Sequence, residues 1–254
     1  MAFLDYRYFS PSLNKQTSAY VLLPEVGTPP YPTLYLLHGY SDDHTIWLRR
    51  TSIERYVASL PLIVVMPDGG HGFYTDAAQG YAFDSAISKD LVERVERTLP
   101  AKPGRENRVL AGLSMGGYGA LALALRHPEI FCAAHSLSGA LAWGHRKPEP
   151  GNPRSAETAR ILGPDPVGGD SDLFALAEKL HKAKNLPDLR FDCGAEDFLL
   201  DHNREFKKFL DEKKIPHEYE EFPGAHNWDY WDEHIQEALA FLSRSLKIKP
   251  ASPA

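Results

Sequence analysis

The sequence predicts an α/β fold, a mostly parallel central sheet with helices on both faces. Two patterns predict it. Short apolar runs bounded by turn residues alternate with longer stretches at helical spacing, and a glycine-rich turn, GLSMGG at residues 112–117, joins an apolar run to a run of alanines and leucines. Composition agrees, since 43% hydrophobic against 24% charged residues is the balance of a globular chain with a large core to bury. At 254 residues such a fold is commonly one unit, so residues 1–254 are expected to form a single domain.

In chain order, strands are expected where apolar runs end at turn residues: 17–23 (TSAYVLL), 33–38 (TLYLLH, before glycine), 61–67 (PLIVVMP, before Asp-Gly-Gly), 107–113, 131–137, 189–193 and 217–222. Helices are expected between them over 51–59, 82–98, 115–127, 172–184, 202–213 and 229–246. Residues 140–170 break the alternation. They are dense in proline and glycine, with one short helix-like piece near 155–162, and read as an insertion over the sheet, either a plain surface loop or a short cap or lid. The tail KIKPASPA is expected to be disordered.

A net charge of −6 without a basic block attracts the chain neither to nucleic acid nor to an anionic membrane surface. No stretch of about 18 apolar residues is present for a membrane span, and MAFLDYRYFS lacks the basic start and apolar run of a signal peptide. The expected location is the cytoplasm, where Cys132 and Cys193, both in apolar strand-like segments, would be free buried thiols, one disulfide between them being the alternative. No pair of histidines at helical spacing joins a carboxylate in a metal-ligand set, so no metal is expected.

The chemistry centres on Ser114. A nucleophilic serine of the α/β-hydrolase type must stand above the carboxyl end of its strand on a turn too tight for neighbouring side chains, and Gly112 and Gly116 relieve that crowding. A helix beginning at Met115 would place free N–H groups beside developing negative charge, with Met115 N–H as one oxyanion donor. A serine hydroxyl also needs a base, and the base needs an acid to hold it.

In this type of chain both follow the serine. The strand LRFDCG ends in the turn AEDFLLD, where Asp197 is the expected acid and Glu196 its nearest competitor; Asp192 lies inside the strand, and Asp201 is read as a helix N-cap. Among the later histidines only His226 lies in a turn after a strand, past Pro223-Gly224, and it is the expected base. His202 and His234 are read as helix-surface residues, His217 as the opening of a strand, and His38, at the end of an early strand, as structural. The turn after HG at 38–39 should supply the second oxyanion donor, Tyr40 N–H ahead of Ser41.

Taken together, the stretches LLHGYSDDHTIWLRRTSIERY, LIVVMPDGGHGFYTD, AGLSMGGYGALALAL, SLSGAL, CGAEDFLL and PGAHNWDYWDEHI resemble the esterase D family of α/β-hydrolases, which includes S-formylglutathione hydrolases, and most of all its bacterial tributyrin-esterase branch. The resemblance implies a cofactor-free serine esterase acting on small-molecule esters with short acyl chains, with Ser114, Asp197 and His226 in the matching triad positions. It further implies that Trp47, Tyr74 and Trp228 line the acyl or alcohol pocket, and by analogy alone it allows a homo-oligomer. A thioesterase acting on S-formylglutathione, an acetyl or feruloyl esterase acting on carbohydrate esters, and acyl transfer to an alcohol use the same machinery and stay open. A non-catalytic binding module would be expected to lack part of this set.

Overall fold

The strand-forming runs assemble into one eight-stranded sheet in the computed structural model, which describes residues 1–149, 151 and 153–251. The strands are β1 (Ala2–Ser10), β2 (Lys15–Leu23), β3 (Thr33–Leu37), β4 (Ile63–Pro67), β5 (Arg108–Leu113), β6 (Ala133–Leu137), β7 (Asp188–Gly194) and β8 (Glu218–Phe222). They lie in the order β1-β2-β4-β3-β5-β6-β7-β8. From β4 onward every pairing is parallel, whereas β1 and β2 form an antiparallel hairpin whose second strand runs antiparallel to β4.

Burial on both faces explains why the central parallel strands β3, β4 and β5 are nearly continuous apolar runs, whereas the edge strand β8, EYEEF, is polar and partly exposed. Along β3, Leu34 and Leu36 point to one core cluster while Tyr35 and Leu37 point to the other. The first cluster is closed by α1 (Ile46–Arg50), α2 (Ile53–Val57) and the long α9 (Trp228–Leu246). The second is closed by α5 (Met115–Arg126), α7 (Leu173–Lys182) and α8 (Leu200–Lys213), together with the helical stretch made of α3 (Phe83–Ser85), a π-helical turn over Ala86–Leu91 and α4 (Val92–Thr98). Helix α5 is buried along its whole length up to Leu125, which its run of glycine, alanine and leucine permits by keeping the helix close to the sheet.

Several expectations need correction. Strand β1 is additional to the strands expected: it is an edge strand whose Phe3 and Phe9 are 47% and 43% exposed and whose Asp5 and Arg7 face water, so its apolar pattern is weak. Helix α1 is likewise additional, and the expected helix at 51–59 is the shorter α2. His234 is 6% exposed, not a surface residue, and its ring stacks on Phe222 at 4.2 Å. Asp201 sits in the first turn of α8, whose N-cap is Leu199. Of the tail, Ala251 N–H donates to Ser59 O at 2.7 Å, so the chain is tied down as far as that residue, and 252–254 lie outside the described residues.

Residues 140–170 contain a 3₁₀ turn at Trp143–His145 and helix α6 (Pro153–Leu162). The end of α6 is stitched to the loop after β4: Ala78 N–H donates to Ile161 O at 2.8 Å and Gln79 N–H to Arg160 O at 2.9 Å. Among the described residues no helix is long and apolar enough to cross a membrane.

Both cysteines are free, and Cys193 is buried, but Cys132 is half-buried rather than buried as expected. Burial pushes the Cys132 thiol up to about 11 and the Cys193 thiol higher still, so neither is a thiolate at neutral pH. In the native protein at pH 8 both should react slowly with a disulfide reagent, and two thiols per chain should appear once guanidinium unfolds it; a fast stoichiometric reaction of the native protein would contradict this burial.

Candidate active site

Ser114 joins β5 to α5 with φ 53° and ψ −114°, a strained conformation for a residue with a Cβ. Packing holds it there. A Cβ on Gly116 would lie 2.5 Å from the carbonyl oxygens of both Leu37 and His38, and one on Gly112 would collide with the carbonyl of Gly116. Strands β3 and β5 therefore both meet the first turn of α5 backbone to backbone. The turn is fixed further by Ser114 N–H donating to Leu137 O at 2.9 Å, from the end of the neighbouring β6.

Asp197 lies just past the carboxyl end of β7 and His226 just past that of β8, beside Ser114 as the strand order requires. His226 Nε2 is 2.9 Å from Ser114 Oγ, and His226 Nδ1 is 2.8 and 3.0 Å from the two carboxylate oxygens of Asp197. Burial on its own would raise the Asp197 carboxyl, but hydrogen bonds from His226 and from Leu199 N–H at 2.8 Å outweigh it and hold the group below the usual carboxylate value. An ionised Asp197 accepts from Nδ1–H, which leaves the Nε2 lone pair facing the serine hydroxyl. The competing Glu196 instead accepts from Gly224 N–H at 2.5 Å.

Met115 opens α5 next to Ser114, and Tyr40 follows the Gly39 turn at the end of β3; both line the same cavity, as does Ser41. His38 and Tyr74 hold that turn from behind. His38 Nε2 accepts from Gly69 N–H at 2.9 Å, so its Nδ1 carries the proton and donates to Gly39 O at 2.7 Å. The Tyr74 hydroxyl donates to His38 O at 3.1 Å.

The cavity over Ser114 encloses about 790 Å³. Of the three aromatics expected to line it, Trp228 does, while Trp47 and Tyr74 do not. Trp47 is 1% exposed, donates from its indole to Leu37 O at 3.0 Å and meets Trp228 edge-on at 5.4 Å, so it stands behind the wall. Tyr74 is fully buried against Gly69 and Gly119, with its hydroxyl spent on His38.

Other residues, unforeseen from sequence, form the walls. Phe198, 71% exposed, lays its ring 4.4 Å from that of His226, and Trp231 meets the same imidazole edge-on at 4.9 Å. On the opposite side Phe73 stacks on Trp143 at 3.5 Å, Trp143 donates to Thr158 at 3.0 Å, and the Tyr40 hydroxyl donates to Glu157 at 2.7 Å. His202 also lines the cavity rather than the outer face of α8; burial, and then the nearby Arg146, lower its pKa and keep it neutral. Adjacency to Asp197 was a usable signal for Phe198. Nothing in the sequence placed Trp143, Glu157 or Thr158, because their approach depends on the path of residues 140–170.

Comparison with known proteins adds to this geometry. The profile of the Esterase family matches residues 10–242. An acetyl esterase of Caldicellulosiruptor saccharolyticus is 31% identical, with 96% of this chain and 99% of that protein covered. Among solved structures, the substrate-bound fluorophosphonate-binding serine hydrolase FphF of Staphylococcus aureus superposes with a TM-score of 0.85 at 31% identity, over 95% of this chain and 98% of that one. The S-formylglutathione hydrolase FrmB of Staphylococcus aureus gives 0.82 at 32% identity over the same shares.

The close backbone approach at the turn makes Gly116→Ala destabilising by about 1–3 kcal/mol, since neither carbonyl it meets can rotate away, and urea denaturation measures the loss. Asp197 has a second, pH-dependent signature. Its folded pKa lies below the unfolded value of about 3.9, so its contribution to stability is complete above that value and is lost as the pH falls through the lower folded one. The difference in unfolding free energy between wild type and Asp197→Asn should therefore narrow as the pH falls below about 4.

Proposed function

The chain belongs to the Esterase family and is a carboxylic ester hydrolase of the α/β-hydrolase fold, and within that class we propose that it hydrolyses short-chain acyl esters through a Ser114–His226–Asp197 triad. One observation carries the reading: the unbroken hydrogen-bonded chain from Ser114 Oγ through both nitrogens of His226 to a buried Asp197, at the floor of an aromatic-walled cavity.

In the proposed reaction His226 Nε2 takes the Ser114 proton as Oγ attacks the ester carbonyl. The tetrahedral oxyanion is held by the N–H groups of Met115 and Tyr40, and Asp197 stabilises the imidazolium. His226 then returns the proton to the leaving alcohol oxygen as the carbonyl–oxygen bond breaks, which leaves an acyl-Ser114. Water, deprotonated by the same imidazole, attacks the acyl carbon and releases the acid and the free serine. No metal or cofactor has a step in this sequence.

The 31% identity to an acetyl esterase supports the short acyl chain. The 32% identity to an S-formylglutathione hydrolase supports a second reading in which the leaving group is a thiolate and the acyl group formyl. The two share every catalytic residue and differ only in the cavity walls that meet the leaving group.

Values of kcat/KM for 4-nitrophenyl acetate, butyrate and octanoate, S-formylglutathione and methyl ferulate separate these readings. We expect acetate or butyrate to lead and Ser114→Ala to lower kcat by about 10⁴–10⁶-fold. S-formylglutathione leading by orders of magnitude would move the protein to the second reading, and activity surviving in Ser114→Ala would overturn the triad.

A further inference from the structure

We propose that Glu196 is a positioning residue for His226, acting through the backbone of Gly224; the proposal rests on the triad reading above. Glu196 and Asp197 are adjacent, yet their carboxylates serve two different groups in the same turn. Asp197 receives the imidazole itself, whereas Glu196 receives Gly224 N–H at 2.5 Å, two residues before the histidine. The Glu196 backbone completes the clamp, its N–H donating to Gly224 O at 3.0 Å. Gly224 is thus held through both its N–H and its C=O by one residue.

The grip is placed where it controls the histidine. Gly224 has φ +132°, a conformation that residues with a Cβ rarely adopt, and a Cβ there would lie 2.8 Å from the Tyr230 ring. On its other side the backbones of Gly194 and Gly224 are in direct contact, with no room for a Cβ on Gly194. The far end of the turn is anchored separately. Asn227 caps α9 by accepting Tyr230 N–H at 3.1 Å, and the Tyr230 hydroxyl donates to the buried Asp192 at 2.7 Å. His226 hangs between these two anchors, so the position of its Cα depends on Gly224, and the aim of its ring depends on Asp197. A short hydrogen bond from a backbone N–H to a carboxylate is the stronger kind available for such a task. Because Glu196 is exposed, removing it leaves the core intact.

The test is a double-mutant cycle with 4-nitrophenyl butyrate, run on wild type, Glu196→Ala, Glu196→Gln, Asp197→Asn and Glu196→Ala/Asp197→Asn, with Ser114→Ala alongside. Glu196→Ala should lower kcat about tenfold with KM changed less than twofold, the scale of one charge-assisted hydrogen bond. Glu196→Gln, whose side-chain oxygen still accepts from Gly224 N–H, should stay within about threefold of wild type. In the Asp197→Asn background the Glu196→Ala loss should shrink to under about twofold, because an imidazole already misaimed has little alignment left to lose. An unchanged kcat in Glu196→Ala, a Glu196→Gln variant as slow as Glu196→Ala, or the same tenfold loss in both backgrounds would each overturn the proposal. Activity surviving in Ser114→Ala would instead overturn the triad on which it rests.

Discussion

Everything at the site depends on the backbone crowding around Ser114. The serine occupies a left-handed conformation that an ordinary residue avoids, and it is kept there because β3, β5 and the first turn of α5 approach so closely that only glycine fits at 112 and 116. That one constraint sets the height of the hydroxyl above the sheet and aims the first N–H groups of α5 beside it. It also brings the Gly39 turn alongside, where His38 and Tyr74 fasten it from behind. The strain is local, and the fully buried strands on either side are what sustain it.

The remaining parts reach the serine by topology. With β5 near the middle of the sheet and β6, β7 and β8 added in parallel beside it, the turns after β7 and β8 open at the same edge as Ser114, 83 and 112 residues further along the chain. Asp197 and His226 thus come beside Ser114 although both lie far from it along the chain. Helix α6 and the Trp143 turn then close the cavity from above. Trp143, Glu157 and Thr158 thereby form part of the cavity wall above Ser114.

How much of this was legible follows from where the signal resides. The central parallel strands and major helices are legible because burial on both faces leaves nearly continuous apolar runs, and the meeting of Ser114, Asp197 and His226 because each stands in a turn just past a strand. Strand β1 is not, since half of an edge strand faces water. Trp47 and Tyr74 were misplaced for a different reason: a large aromatic near a motif fits a core as well as a pocket, and only the coordinates show their polar atoms turned to Leu37 and His38. His234 and His202, read as surface residues, are a stacked core ring and a cavity wall; sequence shows that a histidine lies on a helix but not which face it takes. The helix-like piece near 155–162 is α6, but which of its residues line the cavity depends on the path of the proline- and glycine-rich chain around it, about which sequence periodicity carries no information.

The account stands on Ser114 being the nucleophile and on His226 activating it. Reaction with a fluorophosphonate probe, followed by peptide mapping in a mass spectrometer, tests both at once. The account predicts a single adduct on Ser114 in the wild type and a labelling rate lower by orders of magnitude in His226→Ala. An adduct on any other residue, or His226→Ala labelling as fast as wild type, would contradict it.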